Sequence, residues 1–298
     1  MKKLKNLTGG LMMGITAASV ILIIIIIVVM LGVIILGGKE KFSWEFITSF
    51  PTNGMTAGGI FPAIFGTALM VIIMTIAAVP FGTITAIYMS EYASETSILS
   101  NTIRFAVRTL ATVPSIIFGL FGLGFFIKFV GGSMDKLFLD GQLTWAQPNI
   151  LWASLTMALL TLPVVIVSVE EAIRTVPRDL REGSLALGAT RWQTILKVVL
   201  PGSKAGIMTG TILAISRGAG EVAPILFTGA AYYLATLPHS LSDQFMSLGY
   251  HIYIMSTQSS DVDLTLPIQF ATTMVLLLLT FSLNFIAVII RSRIRRKR

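Results

Sequence analysis

The feature that most constrains this chain is the stretch from Asn6 to Gly38, which contains no charged side chain and centres on the unbroken run Val20–Met30. A bilayer core of about 30 Å needs about 20 apolar residues in helical form, so this run is long enough to cross it. It follows Lys2, Lys3 and Lys5 and has no Ala-x-Ala cleavage pattern before Lys39, so it reads as a retained span rather than a removable leader. Five further apolar stretches of spanning length follow, which gives spans at about 11–36, 60–89, 107–127, 150–169, 205–230 and 266–290. With 54% hydrophobic and 12% charged residues and a mean hydropathy of +0.84, a water-soluble fold would have nowhere to place its apolar surface. The expectation is an all-α, polytopic membrane protein, because lipid offers no partner to an unpaired backbone group and helices satisfy their own.

Charge placement orients these spans. Lys and Arg number three before the first span, two in the first loop, two around the second, two in the third, six in the fourth, none in the fifth and six in the tail. The positive-inside rule then puts both termini and the fourth loop in the cytoplasm, which demands an even number of spans and agrees with six. The expected layout is a cytoplasmic N-terminus at 1–10, a transmembrane domain at 11–290 and a basic cytoplasmic tail at 291–298, in the cytoplasmic membrane. A net charge of +8 spread over chain ends and one loop, without interleaved aromatics, gives no nucleic-acid surface. There are no cysteines, which excludes disulfides and thiol chemistry. The fifth loop, about 232–265, carries Asp243, Asp261 and Asp263, and its apolar residues between Leu241 and Met255 predict a short amphipathic helix.

The fourth loop is the most organised polar segment. From Thr175 to Pro201 it reads TVPRDLREGSLALGATRWQTILKVVLP. Pro177 suits a first helical turn and Asp179 complements the helix dipole. Gly188 suits the left-handed residue that ends a helix, and Thr190 can cap a second one. In that second helix Trp192, Ile195, Leu196 and Val199 fall on one face, with Arg191, Gln193, Thr194 and Lys197 directed away. Such a face rests either on lipid headgroups or on a partner protein. The order Glu182, Gly188-Ala189, Ile195, Val198, Leu200-Pro201 resembles the EAA loop of ATP-binding cassette (ABC) importer permeases, with Gly183 and Ser184 in place of the usual alanines and Ile195 in place of an aromatic. That resemblance implies that Glu182, Gly188, Ala189, Trp192, Ile195, Leu200 and Pro201 form a coupling element seated in a groove of a cytoplasmic ATPase. The chain itself has no G-x-x-x-x-G-K-[ST] phosphate loop; Gly202-Ser203-Lys204 is the nearest fragment and lacks the pattern.

Arg217 and Glu221 lie within the fifth span, where each charge costs about 2.5 to 3.5 kcal/mol on insertion scales. Four residues apart, they either pair with each other on one helix face or line a path for an oxyanion, which the planar guanidinium fork suits. Gly218 and Gly220 allow another helix to approach. His239 and His251 are twelve positions apart with no acidic pair at ligand spacing, so no metal site is expected. Pro80 and Pro114 read as kinks within the second and third spans. No nucleophile–base arrangement is present, so the chain is not expected to be an enzyme, and any ATP and Mg²⁺ would sit on a separate ATPase.

Beyond the fourth loop, four stretches resemble the PstA-type permeases of phosphate ABC importers, within the MetI-like permease family: Pro80-Phe81-Gly82 with Glu91-Tyr92-Ala93, Pro114 through Gly122, Arg217 through Thr228, and Ser242-Asp243-Gln244 with Leu248-Gly249-Tyr250-His251. The resemblance implies a MetI-like helical permease that moves inorganic phosphate. It also implies a second, homologous permease, a dimer of ATPase subunits and an extracellular phosphate-binding protein as partners. Another oxyanion such as molybdate or sulfate is the alternative cargo, and an ATP-independent channel or carrier is the alternative mechanism.

Overall fold

A computed structural model describes residues 2–52, 55–94, 96–259 and 261–296. The predicted basic tail therefore lies only partly within the described residues. Among these, six helical stretches are long and apolar enough to cross a membrane: Gly9–Gly38, Phe61–Tyr92, Ser115–Phe138, Ile150–Arg174, Arg191–Gly220 and Val262–Arg293. The elements in chain order are α1 (Lys2–Gly38), α2 (Trp44–Thr48), a two-strand hairpin β1 (Pro51–Thr52) and β2 (Ala57–Gly58), α3 (Phe61–Ile87), α4 (Ile98–Thr112), α5 (Ser115–Phe121), α6 (Gly132–Phe138), α7 (Ile150–Arg174), α8 (Arg178–Ala186), α9 (Arg191–Thr194), α10 (Leu200–Gly220), α11 (Leu248–Thr257) and α12 (Val262–Arg296). Three π-helical turns, at Tyr88–Tyr92, Gly122–Gly131 and Ile195–Val199, extend α3, join α5 to α6 and join α9 to α10.

The centre of the bundle is α7, whose main neighbours are α3 and α10. Ala153, Met157, Val165, Val169 and Ile173 on α7 are fully buried and meet Met70 and Met74 of α3 and Ala214 of α10. At each such contact the close-packed interior leaves little room for a changed volume. Gly218 illustrates this: a Cβ there would stand 2.6 Å from the Met74 Cε, so the glycine lets α10 approach α3, whereas Gly220 faces open space. By contrast α1 packs along α12 at the bundle's edge and is exposed along its apolar length, as expected of a helix whose solvent is lipid.

The N-terminus of α7 shows how the non-helical segment 221–247 earns its place. A helix start leaves several N–H groups without intrahelical partners. Here Ile150 N–H donates to the Asp243 carbonyl (2.8 Å), Leu151 N–H to that of Leu241 (3.2 Å) and Trp152 N–H to Asn149 Oδ1 (2.9 Å), while Asn149 N–H donates to the Thr228 carbonyl (3.0 Å). Segment 221–247 thus folds over the end of α7 that lies opposite α8 and α9. Leu248 N–H donates to Thr67 Oγ1 at 2.9 Å and so pins α11 to α3.

Several expectations need correction. The third span starts at Ser115, not at 107: residues 98–112 form the separate amphipathic helix α4, and Pro114 divides the two helices, because the residue before a proline is pushed out of the helical region. Pro80, in contrast, stays inside α3. The fifth helix ends at Gly220 rather than 230, and Glu221 already has extended backbone (φ −80°, ψ 136°). The helix expected between 241 and 255 begins only at Leu248, since Phe245 is bridged to Ala230.

Candidate functional site: a cationic cavity and a docking loop

Two places gather the residues singled out from the sequence. The first surrounds Arg217, in the last turn of α10. Its Nε lies 3.6 Å from Glu221 Oε1, so the two pair across the helix end rather than along a helix face. The contact is longer than a hydrogen bond, so the fork has no hydrogen-bond partner among the described residues. Arg217 lines a cavity of about 540 Å³ between α4, α7 and α10, whose other walls include Arg108, Leu160, Pro163, Val164 and Val167. An apolar chamber with a guanidinium on its wall is a chemical fit for a small oxyanion: the fork offers two parallel donors and the low-dielectric walls strengthen the attraction.

The second place is the loop after α7. Its local chemistry matches the helix–turn–helix expected. Gly188 has φ +85° in the turn, and Thr190 accepts from Gln193 N–H while Gln193 Oε1 accepts from Thr190 N–H (3.2 and 2.9 Å), a complete capping box. The buried face is not the one expected, however. Ile195 and Val199 are buried, and so is Thr194, whose hydroxyl meets that of Ser184 at 2.9 Å across the turn; Trp192 and Leu196 are exposed. The π-turn at Ile195–Val199 fuses α9 to α10 and shifts the register between them, so the side chains divide between the bundle and the outside. The same turn accommodates Pro201, which has no N–H to donate. Leu180, Leu185 and Leu187 join Trp192 and Leu196 as exposed apolar groups, and Glu182 is exposed on α8. Ala189 follows Gly188 in the turn and its N–H donates to the Ser184 carbonyl (3.2 Å), and Leu200 is half-buried at the start of α10.

The residue that seats this loop carries no motif. Arg181 on α8 pairs with Glu91 in the π-turn after α3 (Nη2 to Oε1, 3.1 Å) and donates to the carbonyls of Val176 and Ile173 at 2.7 Å each. It therefore ties α8 to the ends of both α3 and α7, with its charge at the negative end of α7, where it shares the Ile173 carbonyl with the Val176 N–H (3.1 Å). A second connection joins α4 to α7: Glu170 Oε1 accepts from Arg104 (3.1 Å) and from Arg174 (2.7 Å). Of these pairs, the spacing could have revealed only Glu170–Arg174, four residues apart on one helix; it does not reveal Arg181–Glu91 or Arg104–Glu170, which are tens of residues apart.

At the opposite end of the bundle, Asp135 is buried and accepts N–H bonds from Thr144 (3.0 Å), Trp145 and Ala146 (2.8 Å each), holding the loop before α7. Asp243 accepts from Ser240 and His239 N–H groups, and these bonds hold its carboxyl below the usual carboxylate range. His239 is exposed, whereas His251 is buried in α11, with neither ring nitrogen hydrogen-bonded among the described residues; burial pushes its imidazole down to about 4.

Residues 78–296 match the model of the binding-protein-dependent transport system inner membrane component family. The chain belongs to that family. The matched region begins inside α3 and leaves out α1. Among curated relatives, the chain is 32% identical to the probable ABC transporter permease protein YqgI of Bacillus subtilis (76% of this chain, 75% of that protein) and 30% identical to the phosphate transport system permease protein PstA of Xylella fastidiosa (78% of each). It is 39% identical to the PstA of Mycobacterium leprae over 57% of this chain, an alignment that spans about half (51%) of that protein. The fold is similar to that of a chain of a bacterial alginate ABC transporter solved with its periplasmic protein (TM-score 0.67, 18% identity, 93% of this chain and 92% of that one). The chain is thus a multi-pass, all-helical ABC importer permease of the MetI-like type.

Proposed function

We propose that this chain is one transmembrane subunit of an ABC importer that carries inorganic phosphate across the cytoplasmic membrane. The observation that carries the reading is Arg217: a guanidinium within the span, steadied through Nε by Glu221, with its remaining donors beside a cavity of about 540 Å³. The relatives named as phosphate permeases support the choice of anion. A transported ion must bind weakly enough to leave, and the neighbouring carboxylate moderates the arginine's hold.

In this reading α8 and α9 dock on a separate ATPase, which binds the ATP and Mg²⁺, through the exposed Leu187, Trp192 and Leu196; Glu182, Gly188, Ala189, Ile195, Leu200 and Pro201 shape and seat that element. Because α9 continues into α10, a displacement at the loop is passed along a rigid rod. Leu200 to Arg217 covers about 25 Å at the helical rise. A second permease completes the pathway and an extracellular phosphate-binding protein docks on the end carrying α11 and segment 221–247, with both termini cytoplasmic. Arg217 then assists the ion after its release from the binding protein.

The test is uptake of radioactive phosphate and of molybdate by the assembled complex in proteoliposomes. Import of phosphate in preference to molybdate is expected, along with a fall of at least about tenfold for an Arg217→Ala complex that assembles. Normal uptake by that variant would overturn Arg217's role. Molybdate or sulfate import without phosphate would redirect the reading to another oxyanion, and transport by the chain without an ATPase would overturn the ABC mechanism.

A further inference from the structure

The Arg217 cavity does not stand alone. It adjoins a cavity of about 270 Å³ through shared walls at Val107, Arg108 and Val167, and that one adjoins an opening of about 580 Å³ through Met89, Arg104 and Arg174. The last is bordered by Arg178 and Arg181 at the docking-loop end of the bundle. The series leads between α4 and α7 from the inner end of Arg217 toward the ATPase-docking side.

Within this series two arginines face no carboxylate, Arg178 at the wide opening and Arg108 between the two inner cavities. Arg104, Arg174, Arg181 and Arg217 each face a carboxylate, at 3.1, 2.7, 3.1 and 3.6 Å. Arg108 has no ion pair or hydrogen bond among the described residues, and it is the one charged residue that lines both the first and the second cavity. The charge balance turns on it. The second cavity is lined by three arginines (Arg104, Arg108, Arg174) and two glutamates (Glu170, Glu171), so its walls carry one net positive charge, and without Arg108 they are neutral. An oxyanion that leaves Arg217 without a cation ahead of it would have to shed protein donors against the apolar walls of the first cavity, which is costly for a charge. An unpaired guanidinium at that point keeps the anion in contact with a fork throughout, and a carboxylate partner there would compete with the cargo.

We propose that Arg108 is a second anion-contact residue, which takes the oxyanion from Arg217 and hands it to the Arg104–Arg174 opening. This rests on the proposed import of an oxyanion and extends it from one residue to a route. It also assigns α4, which lies outside the six spans, a place along the path.

The experiment uses the assembled complex in proteoliposomes and exploits the absence of cysteine from this chain. Arg108→Cys, in a complex whose other subunits have no reactive thiol, is expected to import phosphate at least about tenfold more slowly than wild type, with ATP hydrolysis and co-purification unchanged. Labelling that same preparation with an aminoethyl methanethiosulfonate should restore a substantial part of the rate, and labelling it with the sulfonatoethyl reagent should not. Because folding is identical before and after labelling, a structural defect cannot produce that asymmetry. Wild-type uptake by unlabelled Arg108→Cys, or equal effects of the two reagents, would overturn the proposal. If Arg108→Cys fails to assemble, Arg108→Lys and Arg108→Gln are compared: much greater uptake by the lysine variant supports the proposal and equal uptake overturns it. If the wild-type complex imports a different oxyanion, the phosphate reading fails while the same charge asymmetry with that ion upholds Arg108; import of an uncharged solute instead overturns both.

Discussion

Removing the Arg181 side chain should uncouple hydrolysis from transport while leaving the complex assembled. The Arg181 and Glu91 side chains are only 18% and 16% exposed, so their pair is largely shielded from solvent. Breaking a buried pair by deleting one partner costs about 3 to 5 kcal/mol, because the other charge is left stranded, and the residual exposure here argues for the lower end, about 3 kcal/mol. Arg181→Ala also abandons the carbonyls of Ile173 and Val176, which can turn to water once the loop lifts. At 1.4 kcal/mol per decade, about 3 kcal/mol moves the equilibrium between seated and released loop by roughly a hundredfold. The bundle itself is spared, because the α3–α7 contact does not depend on Arg181. The assay is the number of anions imported per ATP hydrolysed in proteoliposomes. Hydrolysis should persist while the ratio falls by at least about tenfold. Arg181→Lys should fall between wild type and alanine, since an ammonium keeps the charge but cannot reach three acceptors in a planar fork. In a double-mutant cycle, Glu91→Gln should add little to Arg181→Ala. An unchanged import-to-hydrolysis ratio in assembled Arg181→Ala would refute the tethering argument.

The remaining predictions concern a turn and a buried imidazole. A Cβ at Gly188 would meet no atom within 4 Å but must hold φ +85°, so Gly188→Ala has a conformational cost of about 1 to 3 kcal/mol, which should appear as weakened ATPase co-purification with little change in the permease's own melting temperature. His251 is neutral when folded down to about pH 4, whereas its unfolded form takes up a proton below about 6.5. Its contribution to stability is therefore complete above pH 6.5 and declines by up to about 3 kcal/mol as pH falls to 4, so the melting temperature of His251→Gln should depend less on pH across that window; parallel curves for variant and wild type would contradict it.

The loop after α7 was legible because its information is local. A residue that permits φ > 0, a threonine able to cap a helix, and a proline at a helix start act on their immediate neighbours, so Gly188, Thr190 and Pro177 identify the turn without any distant contact. The same holds for most of α1, α3, α7 and α12, where the free energy of inserting an apolar run depends on its own composition. Boundaries were misread where a local rule met a competing one. Hydropathy carried the third span back across Pro114 into α4, and it carried the fifth past Gly220 into residues that leave the helix to satisfy the N-terminus of α7.

What the sequence by itself determined is that the chain must live in a bilayer as a helical bundle and present a structured polar loop. Arg217 and Glu221 were marked in it by the cost of placing charge in a span. The tertiary structure alone decided what the more distant charges face. Arg104 reaches Glu170, Arg181 reaches Glu91, and Arg108 reaches neither and borders the cavity it shares with Arg217. Coulomb attraction and cavity shape depend on separation in space, and the packing of α4, α7 and α10 sets that separation, which no pattern along the chain encodes.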